Sequence, residues 1–311
     1  MPALALLLAL IAATPAAPHL QRVVMRPPAF TCELASDSVV VPMRLVDGRI
    51  RIDVRVGNQG PLPFLFDTGA SGSVMDLAFA KQQGLALGAE IMVGSPNGGA
   101  RPGRMVTFDT LRVGGLTIHG MTSVAFDGMP FPPGPDAPRG VIGPYGMTGL
   151  LVTLDYPHRR LVFRRGALPA PDSLEIFGWD RGRPLPEIPA TLAGQPIAVH
   201  LDSGAPGGLG MPVAFEGKLR MEGPLVDMGR AQTVDHDVVT RGATLDGDFV
   251  LGRWTLEKPT VRFSEVLHEV GNVGAGILRQ FAITIDPANA RLQLAGPPNG
   301  RIAPPTEPAS R

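Results

Sequence analysis

The sequence is poorest in cysteine, in aromatics and in charge runs of one sign. Cys32 is its only cysteine, so no intrachain disulfide can staple the fold. The residues before it, Ala29-Phe30-Thr31, lack the leucine of a lipoprotein acylation site. Aromatics make up 5% of the chain, which argues against a base-stacking surface for nucleic acid. The 28 basic and 28 acidic residues cancel, and no block of like charge suggests a nucleic acid or an anionic membrane as partner. The six histidines are scattered, and none pairs with an acid or another histidine at ligand spacing, so no metal or other cofactor is expected. No apolar run is long enough to span a bilayer. The longest, Ala3 to Ala13, has the length of a signal-peptide core and is followed by small residues. Although a basic start is missing, an exported protein is expected, periplasmic or secreted, with residues 1–17 as signal peptide.

Glycine (39) and proline (33) are abundant, yet 44% of the residues are hydrophobic. Many short strands joined by turns, in one large or two smaller domains, fit that combination. The chain also repeats itself. "GPLPFLFDTGA" (60–70) lies over "QPIAVHLDSGA" (195–205), with Asp67 on Asp202, Thr68 on Ser203 and Gly69 on Gly204. "VIGPYGMTGLLVTLDYPHRRLVF" (141–163) lies without a gap over "NVGAGILRQFAITIDPANARLQL" (272–294), and "VGGLTI" (113–118) more weakly over "LGRWTL" (251–256). The first copy is four residues longer between its motif Asp and its hairpin Asp, and the loop 127–139 absorbs the difference. The chain therefore divides into a leader (18–40), a first unit (41–165), a linker (166–184), a second unit (185–296) and a tail (297–311) expected to be disordered.

An Asp at a strand end ordinarily caps a turn. Two such turns in equivalent places of a repeat suggest more. If the copies pack about a pseudo-twofold axis, the turns face each other and bring two carboxylates together. Such a pair shares a proton, so one member can accept a proton from water while the other polarises a carbonyl and protonates the leaving amine. Thr68 and Ser203 are placed to hydrogen-bond across the pair, and Gly69 and Gly204 to let the backbone turn beneath the carboxylates.

Asp67-Thr68-Gly69-Ala70-Ser71 and Asp202-Ser203-Gly204-Ala205, with Val141-Ile142-Gly143 and Asn272-Val273-Gly274, resemble the retropepsin-like aspartic peptidases of the exported bacterial kind with both lobes in one chain. The resemblance covers about 250 residues. It implies an all-β fold of two homologous closed barrel lobes in pseudo-twofold arrangement with short helices, a monomer whose cleft takes a peptide or protein. It also implies a catalytic pair, Asp67 and Asp202, supported by Thr68, Gly69, Ser71, Ser203 and Gly204. The flap candidate is 93–103, with Asn97, Gly98 and Gly99 at its turn. Leu65 and its counterpart His200 complete the substrate-binding candidates. Departures from the pattern are Pro206 in place of Ser71, Asn272 in place of an apolar residue, and His200 on the strand face of Asp202. A binding module that no longer cleaves, and a nucleotide site at "GAPGGLG" (204–210), are the competing readings. The second requires a helix opening at that loop.

Overall fold

A computed structural model describes residues 30–94, 100–129, 134, 136–232 and 237–305. Among these, strands dominate, with only two short α-helices, Leu77–Gln82 and Ala275–Leu278. No helix among them is long and apolar enough to cross a membrane.

Strand formation follows the sequence pattern directly. In Arg49–Val56 the alternation R-I-R-I-D-V-R-V buries Ile50, Ile52, Val54 and Val56, leaves Arg49 and Arg51 half-buried and turns Asp53 and Arg55 outward. The first motif strand, Gln59–Phe66, ends in three consecutive buried residues, Phe64, Leu65 and Phe66. It lies inside a sheet, antiparallel to Arg49–Val56 on one side and parallel to Gly140–Ile142 on the other. An interior strand covered on both faces is apolar throughout rather than alternating.

There are two nine-stranded sheets and one six-stranded sheet among the described residues. The central strand order of the first large sheet recurs in the second. Gly140–Ile142 runs parallel to Gln59–Phe66 and antiparallel to Val74–Asp76. Likewise Gly271–Gly274 runs parallel to Gln195–Asp202 and antiparallel to Leu209–Pro212. Beyond these, Val74–Asp76 runs parallel to Leu116–Phe126, and Leu209–Pro212 runs parallel to Thr260–Ser264.

The six-stranded sheet joins the two halves. Leu150–Asp155 pairs antiparallel with Ala282–Asp286, its counterpart in the sequence repeat, so that Thr153 faces Thr284. Their hydroxyls lie 2.8 Å apart. Equivalent residues that face one another mark a local twofold relation.

Three segments differ from the expectation drawn from composition. The leader is structured from Thr31. Thr31–Leu34 pairs with Leu116–Phe126, while Ser38–Pro42 pairs with Arg160–Arg165 and buries Val39 and Val41. Cys32 therefore lies in a strand, and burial pushes its thiol up to about 11. The linker contributes Ile176–Gly178 to the six-stranded sheet, with Phe177 buried. The tail remains packed through 305: Ile302 is buried, and the Gln280 carboxamide clamps both backbone groups of Ala303. In each case buried apolar side chains anchor the segment despite the surrounding Pro and Gly. The expected signal peptide lies outside the described residues.

Candidate active site

Each motif turn begins where a parallel strand pair ends. Asp67 follows Phe66, whose neighbour is Ile142, and the Asp67 amide donates to the Ile142 carbonyl at 3.0 Å. Asp202 ends its strand beside Gly274. The two turns then exchange hydrogen bonds. Thr68 Oγ1 donates to the Leu201 carbonyl (2.6 Å) and accepts from the Ser203 amide (3.0 Å). Ser203 Oγ donates to the Phe66 carbonyl (3.1 Å) and accepts from the Thr68 amide (2.9 Å). Both hydroxyl residues are buried, so these four bonds satisfy backbone groups that water cannot reach.

The glycines matter through closeness of approach. Neither Gly69 nor Gly204 adopts a positive φ, so a torsional reason for glycine does not apply. A Cβ on Gly69 would lie 2.4 Å from Asp202 Oδ1, and one on Gly204 would lie 2.4 Å from Asp67 Oδ2. Each carboxylate thus rests on the bare α-carbon of the opposite turn. Gly143 and Gly274 repeat this one layer down, since a Cβ there would meet the Ala70 carbonyl at 2.3 Å or the Gly207 carbonyl at 2.4 Å.

The carboxyl groups differ in surroundings. Asp67 Oδ1 accepts from the Gly69 amide at 2.7 Å. Asp202 Oδ1 accepts from the Gly204 amide (2.9 Å) and the Ala205 amide (3.0 Å), and its Oδ2 accepts from Asn272 Nδ2 (2.9 Å). Burial, and then the charge of Asp202, hold the Asp67 carboxyl well above the usual carboxylate range, although the Gly69 and Gly204 amides oppose this. Asp67 also hydrogen-bonds to the Asp202 carboxyl. Such an arrangement can hold one proton between two acids and keep it there near neutral pH.

Several surrounding groups carried no signal in the sequence. Tyr145 donates its hydroxyl to the Thr68 carbonyl at 2.7 Å and sets its ring edge-on to Trp179, centroids 6.0 Å apart. Arg49 Nε donates to the Gly204 carbonyl at 2.8 Å. The buried Tyr156 hydroxyl approaches Ser203 without a well-formed hydrogen bond. Burial and the two acids push both phenols above their ordinary range, which keeps them neutral. Asn272 did leave a sequence signal, as the one polar residue at an apolar position of the repeat.

The remaining candidates are more dispersed. Leu65 is buried in the sheet. His200 is half-buried, and its Nδ1 lies 2.8 Å from the Pro186 carbonyl rather than against an acid. Ser71 is half-buried just past the first turn. Its counterpart Pro206 packs on the Asp47–Gly48 hairpin tip, 2.9 Å from where a Gly48 Cβ would stand. Asn97, Gly98 and Gly99 lie outside the described residues. The strands leading to them, Leu87–Gly94 and Ala100–Val113, form an antiparallel hairpin, as do Val226–Gln232 and Asp237–Thr244 in the second half. The loop 204–210 opens into the strand Leu209–Pro212, followed by a 3-10 turn, Val213–Phe215. It therefore lacks the helix a phosphate site requires. Among the described residues no cluster of three His, Cys, Asp or Glu could hold a metal.

Residues 52–144 match the family described as aspartyl protease. No curated protein matches the chain. The matched stretch runs from the strand before the first motif, through Asp67-Thr68-Gly69, to the Gly143 segment beneath it. Over residues 52–144, the chain is similar to the aspartyl proteases.

Proposed function

We propose that the protein is an exported, monomeric aspartic endopeptidase with two homologous barrel lobes. It hydrolyses peptide bonds by direct attack of a water activated between Asp67 and Asp202. The observation that carries this reading is the reciprocal seating of the two carboxylates, each on the other turn's glycine at a distance no Cβ would permit. The ionised acid takes a proton from the water. The neutral acid donates its hydrogen bond to the scissile carbonyl, then protonates the departing amine. No covalent enzyme intermediate forms. Thr68 and Ser203 act by holding the turns in register, since each hydroxyl is bonded to two backbone groups of the opposite turn and its strand. The hairpins ending at Gly94 and Gln232 are the elements placed to fold over a bound peptide.

The test is cleavage of unfolded casein and of a peptide library by the wild type, Asp67→Asn and Asp202→Asn. The wild type is expected to cleave and to be blocked by a transition-state-mimicking inhibitor of aspartic peptidases. Each Asn variant is expected to be folded and inactive. Substantial cleavage by either variant would sink the shared-dyad mechanism.

A further inference from the structure

We propose that Asn272 decides which acid carries the dyad's proton: its carboxamide donates to Asp202 Oδ2 and so keeps the charge on Asp202 and the proton on Asp67. This rests on the reading of the pair as catalytic. It goes beyond that reading by assigning Asp202 as the general base and Asp67 as the acid that polarises the substrate carbonyl.

The argument is an asymmetry between two otherwise matched sites. Asn272 sits on Gly271–Gly274, in register with His200 on the strand that ends at Asp202. The equivalent residue in the first half is Val141, in register with Leu65 on the strand that ends at Asp67. Valine is buried there and has no donor to offer. Asp202 accordingly accepts from Gly204, Ala205 and Asn272, with both of its oxygens engaged. Asp67 has the amides of Gly69 and Gly204. Donors aimed at a carboxylate favour its ionised form, so the better-supplied acid holds the charge.

Other groups around the pair do not reverse this. Tyr145 and Tyr156 are neutral phenols, with Tyr145 donating to the Thr68 carbonyl. His200 directs its Nδ1 to the Pro186 carbonyl. Arg49 spends its Nε on the Gly204 carbonyl, a backbone atom of the second turn. The burial that holds the Asp67 carboxyl up agrees with a proton resident there.

The assignment has a signature that a merely structural role would not give. Asn272 stabilises the charge on Asp202, which is absent in the doubly protonated pair and present in both the singly and doubly ionised pairs. Removing the amide therefore raises the first ionisation and leaves the second in place. In Asn272→Val, the acid limb of the kcat/KM–pH profile should move up by about one pH unit while the alkaline limb stays. Carboxyl carbon NMR titration of the wild type, assigned with Asp67→Asn and Asp202→Asn, should show Asp202 ionising first. The double variant Val141→Asn/Asn272→Val should reverse that order. Asn272→Ala serves in place of Asn272→Val should the latter not fold.

A wild type in which Asp67 ionises first would overturn the proposal, as would an acid limb that is unmoved in a folded Asn272 variant. An inactive wild type would instead overturn the catalytic reading, and the NMR titration would still judge the proton's location.

Discussion

Gly69→Ala offers the sharpest test of the reciprocal seating. The new methyl carbon would stand 2.4 Å from Asp202 Oδ1, 2.6 Å from its Cγ and 3.0 Å from Oδ2. Ordinary contact begins at 3.4 Å, so the carboxylate must retreat by about 1 Å. Both its oxygens are held by amide donors, which leaves no free direction for a small rotation. A displacement of about 1 Å in a reacting group costs on the order of 10²-fold in rate, equivalent to about 2.7 kcal/mol of transition-state stabilisation. Backbone strain does not enter, because Gly69 lacks a positive φ. The assay is kcat/KM on a fluorogenic peptide, with a thermal melt to confirm the fold. Gly223→Ala, where nothing lies within 4 Å of the new methyl, controls for the substitution itself. Gly204→Ala, which presses on Asp67 Oδ2 from 2.4 Å, should reproduce the loss from the other side. A folded Gly69→Ala enzyme within about threefold of wild-type kcat/KM would refute the reasoning.

Thr68→Val keeps the shape but strips both cross-turn bonds of Oγ1, leaving the Leu201 carbonyl and Ser203 amide buried and unpaired. At about 1–3 kcal/mol each, urea unfolding should report a loss of about 2–6 kcal/mol. Asp67→Asn should have the opposite effect on stability near neutral pH. An acid held up in the fold contributes stability below its unfolded pKa and loses it as the pH rises through the folded value. The wild type should therefore weaken with rising pH relative to the variant, by at most about 1.4 kcal/mol per unit, and thermal melts from pH 4 to 8 should show the gap opening upward. His200→Leu should leave the pH–rate profile in place, because its ring is bonded to the Pro186 carbonyl and touches neither acid. A shifted limb would show that His200 tunes the pair.

How much of this was legible in the sequence depends on the kind of contact. The β-rich character was readable because Arg49–Val56 and the motif strands carry strand periodicity in their own residues. The pairing of Asp67 with Asp202 was readable only through the repeat, which stands in for the long-range contact that a single strand cannot reveal. The strands at 31–42 and 176–178 were hidden because their partners lie far along the chain and their neighbourhood is rich in Pro and Gly. Arg49 and Tyr145 were unreadable for a related reason. Each reaches a backbone carbonyl across the fold, and a carbonyl leaves no mark on sequence. Gly69 and Gly204 are expected from the sequence to serve the torsion of a turn, and neither has a positive φ. Crowding from a distant carboxylate, rather than the torsion of the turn, excludes a side chain there.

The meeting of Thr153 with Thr284 bears on what this chain can do that two identical chains cannot. In a true homodimer the axis would copy every residue, and an amide at the position of Asn272 would stand beside both acids or neither. Two equal donors would cancel as a bias, and the proton would hop without preference. Covalent fusion removes that constraint. Equivalent residues can then match, as the paired threonines do, or diverge one at a time. Val141 and Asn272 are such a divergence, and through it two acids in equivalent turns come to have different surroundings.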